Sequence, residues 1–195
     1  MIEQVVALDT ALFTFLNTRL THPILDTVMP FITEQEHWYP VLAGLLLAMV
    51  IWGGKNGRLA AIAFVVAIAL SDQATCALLK PLVGRIRPCN ALPSEEFRLL
   101  VGGSKAMSFP SAHASNSFAM ATVVSWRFPK AAWLCFLIAS AVAYSRVYVG
   151  VHYPIDIAAG AILGAVIGRF AIWGVVAARG AIDRWNERRA AARVG

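Results

Sequence analysis

Five long apolar segments determine what this chain can fold into, because each is close to the length that a helix needs to cross a lipid bilayer. A hydrocarbon core of about 30 Å is spanned by roughly 20 helical residues. The composition agrees, since 58% hydrophobic and 14% charged residues are too apolar a mixture for an ordinary soluble domain. We therefore predict an all-α fold, a polytopic membrane helical bundle that forms a single domain over residues 1–195 with five to six transmembrane helices. The five candidate spans are residues 37–53, 58–80, 111–127, 130–149 and 154–178.

The first 33 residues follow a weaker pattern. Within residues 4–20, apolar side chains alternate with Asp9, Asn17 and Arg19, which is typical of an amphipathic helix lying at a membrane interface. Residues 24–33 are apolar but too short to cross the bilayer as a separate helix. We expect residues 1–33 to form either an interfacial pair of helices or one broken crossing. The N-terminus has no basic region before an apolar core, so a cleavable signal peptide is not predicted.

Nine of the 17 basic residues lie on one side of the predicted bundle, in short turns and in a tail over residues 179–195. By the positive-inside rule this side faces the cytoplasm, which places the long loop over residues 81–110 on the outer face. The expected location is a bacterial inner membrane, with that loop toward the periplasm or exterior. The formal charge of +6 comes without a basic run interleaved with aromatic residues, so it favours anionic lipid and argues against nucleic acid as a partner. The basic residues of the cytoplasmic side are Lys55, Arg58, Arg127, Lys130, Arg179, Arg184, Arg188, Arg189 and Arg193.

Small and ionisable residues inside the spans carry two further signals. Gly160, Gly164 and Gly168 recur every four residues, which predicts the close approach of a neighbouring helix. Asp72 and Arg169 lie inside apolar spans, where ionisable side chains are functional candidates. Both also have a structural interpretation, because Arg169 can reach the interface and Asp72 can bond neighbouring hydroxyl or backbone groups.

Three polar motifs lie at the outer ends of the spans, although they are far apart in the sequence. Because these ends converge on one face of the bundle, we expect the side chains to meet. Pro154 in the first turn of the last helix would leave His152 just outside that helix and Asp156 just inside it. The motif residues are Lys80, Arg85 and Arg87; Ser111, Ala112 and His113; and Arg146, His152 and Asp156.

These residue types suit the transfer of a phosphoryl group. Fixed cations and the backbone donors of a helix N-terminus bind phosphate oxygens. Two histidines fit a two-step displacement, in which one imidazole attacks phosphorus while the other protonates the leaving oxygen and later activates water. An imidazole with an unperturbed pKa of about 6.5 can do both near neutral pH. A carboxylate beside the attacking imidazole would hold its tautomer.

The motifs resemble the signature of the type 2 phosphatidic acid phosphatase superfamily, whose site also looks like that of vanadium haloperoxidases. The superfamily pattern is K-x6-RP, then PSGH, then SR-x5-H-x3-D. This chain carries its counterparts in the same order and at the same spacings, and the match covers roughly residues 80–156. Ala112 stands where the family has glycine, and alanine can still donate its backbone N–H where φ is negative. The matching residues are Lys80 with Arg87-Pro88, Pro110-Ser111-Ala112-His113, and Ser145-Arg146 with His152 and Asp156.

The resemblance implies a membrane lipid phosphatase that uses neither a metal nor another cofactor. It implies that His152 is the nucleophile, that Asp156 orients it, and that His113 is the general acid for the departing group. The lipid phosphate and the bilayer are the expected partners, while the pattern does not predict an oligomeric state. The implied phosphate-binding residues are Lys80, Arg87, Ser111, Ala112 and Arg146.

The substrate is the most open of these expectations. The short chain with five spans and the run LDTVMPFITE over residues 25–34 resemble short bacterial undecaprenyl-diphosphate phosphatases. Undecaprenyl diphosphate is therefore the leading substrate candidate. Phosphatidylglycerophosphate, phosphatidic acid and the lipid A 1-phosphate are the alternatives. A non-enzyme alternative is an anion channel or transporter, which predicts polar residues running through the bundle. Only Asp72, Gln73, Thr75 and Arg169 approach that pattern.

Overall fold

Every regular element of the protein is helical over residues 2–193, the range that this computed structural model describes. The prediction of an all-α fold is thus confirmed. Short 3₁₀ or π-helical segments lie at Phe15–Arg19, Gln35–Trp38, Gln73–Leu79 and Pro129–Ala131. The α-helices are α1 (Ile2–Thr14), α2 (Pro23–Thr33), α3 (Tyr39–Ile51), α4 (Gly54–Asp72), α5 (Lys80–Val83), α6 (Pro88–Ala91), α7 (Ala112–Arg127), α8 (Ala132–Tyr148) and α9 (Pro154–Ala191).

Each predicted span corresponds to helical structure, although the helices differ in length. Three helical stretches within residues 2–193 are long and apolar enough to cross a membrane, namely Gly54–Ala91, Pro129–Tyr148 and Pro154–Ala191. The other two predicted spans fall on α3 and α7, which have 13 and 16 residues. At 1.5 Å per residue these helices cover about 20 and 24 Å. The number of crossings therefore stays a prediction.

The last helix does not end at residue 178, where the apolar run stops, but continues to Ala191. Contacts between side chains one turn apart accompany the extension. Nε of Arg179 donates to Oδ2 of Asp183 at 2.8 Å, and the Arg189 guanidinium lies 4.5 Å from the centre of the Trp185 ring. Pairs of this kind stabilise an exposed helix. Most of the predicted tail is thus a direct helical continuation of the last span.

The centre of the bundle is formed by α4, α7 and α9, and the close approach predicted from the glycine spacing is confirmed there. A Cβ atom at Gly160 would lie 2.5 Å from the carbonyl oxygen of Ser111. A Cβ atom at Gly168 would lie 2.8 Å from the carbonyl oxygen of Ala119. Because the backbones approach too closely for a larger residue, the start of α7 is held against the first turns of α9.

The N-terminal region packs against the end of α8 and the start of α9. The Phe13 ring in α1 meets the Tyr153 ring edge-on, with 5.4 Å between the ring centres. Asn17 is fully buried, and its Nδ2 donates to the carbonyl oxygens of Arg98 and Tyr148 at 3.0 and 2.8 Å. Residues 2–33 are therefore fastened to the bundle, whereas their depth in a membrane stays a prediction.

The long loop over residues 81–110 is fastened to the connection between α8 and α9. The N–H of Leu100 donates to the carbonyl oxygen of Val149 at 3.2 Å. Gly150 has φ of +90°, and a Cβ there would collide with the carbonyl of Arg98. Only glycine fits that combination of backbone angle and contact. The connection that carries His152 is thereby fixed from the loop side.

Candidate active site

The central pair of the site is His152 and Asp156, at the start of α9. The predicted helix start at Pro154 is confirmed, with His152 before the helix and Asp156 in its first turn. Nδ1 of His152 lies 3.3 Å from Oδ2 of Asp156, and both side chains are buried. The N–H of Tyr153 donates to the same carboxylate oxygen at 2.9 Å. The helix start therefore sets the distance between the imidazole and the carboxylate.

Two residues from the loop over residues 81–110 complete the surroundings of this carboxylate. Ser108 is fully buried, and its Oγ donates to Oδ2 of Asp156 and lies 3.4 Å from Nδ1 of His152. Arg85 donates from Nη1 to the other oxygen, Oδ1, at 2.8 Å. Both oxygens of Asp156 are thus hydrogen-bonded. A carboxylate with these partners has little freedom to rotate.

Burial lowers the pKa of His152 from 6.5 to about 4, because the charged form loses its hydration. The hydrogen bond with Asp156 acts in the opposite direction and raises this pKa, while the nearby charge of Arg87 lowers it. At neutral pH the imidazole is therefore uncharged. With Nδ1 facing Asp156, the lone pair of such an imidazole resides on Nε2.

The start of α7 supplies the second motif. Ser111 is the N-cap residue, and its Oγ accepts from the N–H of Ala114 at 3.4 Å. The N–H of Ser111 itself donates to the carbonyl oxygen of Asp156 at 3.0 Å, which joins this motif to α9. Ala112 is the first residue of α7, and no residue other than glycine has a positive φ within residues 2–193. Alanine therefore replaces the family's glycine here without backbone strain. His113 follows in the first turn and is half-buried.

Three predicted cations surround the same point. Arg87 is buried, with Nε donating to the carbonyl oxygen of Ala106 at 2.8 Å. Arg146 near the end of α8 is half-buried, and its Nη1 donates to Oγ1 of Thr33 at 2.6 Å. Lys80 at the start of α5 is also half-buried. Lys80, Arg87 and Arg146 are all close enough for their charges to act on His113. The structure therefore brings all three sequence motifs to one place.

Sequence reasoning missed three residues that hold this cluster together. Asp9 in α1 is buried and forms an ion pair with Arg85 at 2.6 Å. Arg85 was predicted to be another outer-face cation, but it is occupied by two carboxylates. Thr33 anchors Arg146, and Ser108 anchors Asp156. The one available signal was Ser108, which stands two residues before the Pro-Ser-Ala-His motif. Nothing local to Asp9 or Thr33 marks them.

A largely apolar cavity of about 620 Å³ opens beside His113. It extends between α3, α4, α7 and α8, and Phe64, Leu45 and Val142 are among its walls. Asp72 and Asn116 are among the few polar residues in its lining. Within residues 2–193 no group of three or more His, Cys, Asp and Glu side chains is placed to hold a metal ion. The site thus combines a cationic, imidazole-bearing head with an apolar extension.

Several known proteins with similar sequences or structures are phosphatases. The chain is 38% identical over 179 residues to a lipid A 4'-phosphatase of Bacteroides thetaiotaomicron, covering 86% of this chain and 77% of that protein. It is 34% identical to an undecaprenyl-diphosphatase of Sulfolobus acidocaldarius, covering 85% and 77%. The crystal structure of a PAP2 type phosphatidylglycerolphosphate phosphatase from Bacillus subtilis matches with a TM-score of 0.66 at 25% identity, covering 88% and 85%.

The helical membrane fold, the motif cluster and these relatives define a class, the multi-pass membrane lipid phosphatases, which are hydrolases. The family model described as PAP2 superfamily matches residues 60–179. This chain belongs to that superfamily, and the resemblance noted from the three motifs is confirmed.

Proposed function

We propose that this protein hydrolyses a lipid phosphate or diphosphate without a metal, through a phosphohistidine intermediate on His152. One observation carries the proposal: the imidazole of His152 is buried, and its Nδ1 lies 3.3 Å from Oδ2 of Asp156. The lowered pKa of His152 favours its neutral form at neutral pH. Nε2 is then the nucleophilic atom. His113 lies where the other motif residues converge and is the second group able to transfer a proton.

In the first step, Nε2 of His152 attacks phosphorus and a P–N bond forms. The P–O bond to the lipid breaks, and its electron pair stays on the departing oxygen. His113, whose protonated form is stabilised by the negative charge of the bound phosphate, gives that oxygen a proton. Asp156 stabilises the positive charge that develops on the imidazole of His152, and this charge is the reason for a buried carboxylate at that distance.

In the second step, the now neutral His113 removes a proton from water, and the hydroxide attacks phosphorus. The P–N bond breaks, its electron pair returns to Nε2 of His152, and inorganic phosphate leaves. Both histidines regain their starting protonation states, so atoms and charges balance over the cycle. Charge on the phosphoryl oxygens is stabilised in both steps by fixed donors. In this proposal those donors are the side chains of Lys80, Arg87, Ser111 and Arg146 and the backbone N–H of Ala112.

The apolar cavity supports a substrate whose lipid part enters as a single chain. Its volume of about 620 Å³ lies within the range of small-ligand pockets, roughly 300–1,000 Å³. That space suits part of one hydrocarbon chain, with the rest remaining in the bilayer. We therefore propose undecaprenyl diphosphate as the leading substrate, and the undecaprenyl-diphosphatase relative supports it. The mainly apolar walls also argue against an anion channel.

A second candidate is a lipid A phosphate. It is favoured by the relative that is 38% identical and named as a lipid A 4'-phosphatase. A third candidate substrate, phosphatidylglycerophosphate, comes from the similar solved structure of a phosphatidylglycerolphosphate phosphatase. In all three cases we propose that the site faces the outside of the inner membrane, because the short turns and the tail at the opposite ends of the helices carry nine basic residues.

The proposal is tested by a panel assay on the full chain in detergent or nanodiscs. Phosphate release is measured with undecaprenyl diphosphate, lipid A, phosphatidylglycerophosphate and phosphatidic acid, each with and without excess chelator. We expect release to persist in chelator, to be fastest with undecaprenyl diphosphate, and to be inhibited by vanadate, which copies five-coordinate phosphorus. Activity that is lost in chelator and restored only by a divalent ion would overturn the metal-free mechanism. Faster turnover of lipid A would select the second candidate.

A further inference from the structure

We propose that Asp9 and Arg85 are positioning residues of the active site, which hold the carboxylate of Asp156, and through it the imidazole of His152, from the N-terminal helix. This inference rests on the proposed function, since it takes His152 as the reacting group. It assigns α1 a part in the reaction, although α1 carries none of the three motifs.

The Arg85 guanidinium bridges two buried carboxylates. Nη1 donates to Oδ1 of Asp156 at 2.8 Å, and Nη2 donates to Oδ2 of Asp9 at 2.6 Å. The side chains of the two aspartates are 0% and 1% exposed, while that of Arg85 is 19% exposed. A buried carboxylate is costly unless it is paired and hydrogen-bonded. Each of these two aspartates therefore depends on the same guanidinium.

The second oxygen of Asp9 reaches α9 directly. Oδ1 accepts from the N–H of Ile155 at 2.9 Å, and Ile155 immediately precedes Asp156. The Arg85 guanidinium also lies over the Tyr153 ring, 4.0 Å from its centre. The Asp9 side chain is thus linked to the first turn of α9 in two ways. It accepts a hydrogen bond from the backbone of that turn, and it pairs with Arg85, which in turn pairs with Asp156. The turn that carries Asp156 cannot shift without breaking both contacts.

The two oxygens of Asp156 have different partners, and this difference gives Arg85 its effect. Oδ2 is shared by His152, Ser108 and the N–H of Tyr153, whereas Oδ1 is bonded by Arg85. Loss of Arg85 leaves a buried oxygen unpaired, and the carboxylate gains by rotating toward another donor. Rotation weakens the contact of Oδ2 with the imidazole. The rate of the chemical step should then fall, with little change in phosphate binding.

The test uses the full chain and compares two ion pairs that lie at the same end of the bundle. The variants are Asp9→Asn, Arg85→Gln and the double variant. The matched controls are Asp26→Asn and Arg98→Gln, because Nη2 of Arg98 donates to Oδ2 of Asp26 at 2.7 Å and neither residue contacts His152 or Asp156. For each protein kcat, KM, vanadate inhibition and thermal stability are measured. Arg146→Gln gives the reference for a lost phosphate contact.

We expect Asp9→Asn and Arg85→Gln each to lower kcat about 10- to 100-fold, by analogy with the hydrogen-bonded groups that orient metal ligands in metalloenzymes. KM and the vanadate inhibition constant should stay within about twofold, and the double variant should be no slower than the slower single variant, because one network is broken either way. The control variants should keep kcat within about twofold even where they lose similar thermal stability.

Three outcomes would overturn the proposal. Unchanged kcat would show that the pair positions nothing. A vanadate inhibition constant that rises as far as in Arg146→Gln would make Arg85 a phosphate ligand. Equal losses of kcat in the control variants would show that the loss comes from lower stability of the whole protein and not from the position of Asp156.

A readout without turnover keeps this inference separate from the proposed function. If the wild-type chain hydrolysed no lipid phosphate, the proposed function would fail, and the ¹⁵N chemical shifts of His152 would still report its hydrogen bond to Asp156. Asp9→Asn should move those shifts and Asp26→Asn should not. Unmoved shifts in Asp9→Asn would overturn the positioning role, whatever the enzyme's substrate.

Discussion

Asp156 lies four residues after His152 and places Oδ2 at 3.3 Å from Nδ1 of that imidazole across the start of α9. A helix start at Pro154 makes this distance possible, because one residue precedes the helix and the other lies in its first turn. The same start joins the pair to α7, since the carbonyl oxygen of Asp156 accepts from the N–H of Ser111. The geometry of the imidazole therefore depends on how α9 begins.

Replacing His152 should remove catalysis almost completely. We expect His152→Ala to lower kcat at least about a thousandfold, as loss of a covalent nucleophile typically does. His37→Ala is the matched control, because His37 is an exposed histidine whose ring stacks on Phe31. Rapid quenching with a ³²P-labelled substrate should give an acid-labile phosphoprotein in the wild type and none in His152→Ala. Activity retained by His152→Ala would mean that another residue attacks phosphorus.

The imidazole of His152 should stay neutral well below pH 6. Its pKa is lowered to about 4, so the neutral form dominates above that pH and is lost only as the pH falls through it. At pH 5.5 an ordinary imidazole would be about ten times more often protonated than neutral. The protein has four histidines, so ¹⁵N-histidine spectra can be assigned with His152→Gln. Signals of His152 that titrate with a midpoint near pH 6.5 would contradict this prediction.

Much of the site was predictable because it is encoded in local spacing. The interval between Pro154 and Asp156, the polar residues at span ends and the glycines of α9 each act within one or two helical turns. The partners of these residues were not predictable in the same way. Asp9 is 76 residues from Arg85, and Thr33 is 113 residues from Arg146. The sequence around a single polar residue in an apolar helix is the same whether its side chain faces lipid headgroups or pairs with a distant guanidinium.

Adding a side-chain atom where α7 and α9 touch should destabilise the bundle. A Cβ at Gly164 would collide with the backbone of Ser115, so Gly164→Ala must move the two helices apart. We expect a loss of about 1–3 kcal/mol, as for other overpacked sites. Gly174→Ala is the control in the same helix, because a Cβ there would have no atom within 4 Å. Replacing glycine in a helix interior without strain stabilises by about 0.5–1 kcal/mol. Thermal unfolding in detergent should therefore shift in opposite directions for the two variants.

The apolar cavity should discriminate between long and short lipid chains. Ala139 on α8 lines the cavity and is 2% exposed, so Ala139→Phe places a ring in that space. We expect kcat/KM for undecaprenyl diphosphate to fall roughly tenfold or more relative to that for farnesyl diphosphate, since filling a pocket by a few carbon atoms typically changes selectivity on that scale. Leu137→Phe adds a similar ring on the same helix at a position that is 57% exposed and outside the cavity lining, and should leave the ratio unchanged. Retained farnesyl diphosphate hydrolysis shows that Ala139→Phe is folded. An unchanged ratio in a folded Ala139→Phe would place the lipid chain elsewhere.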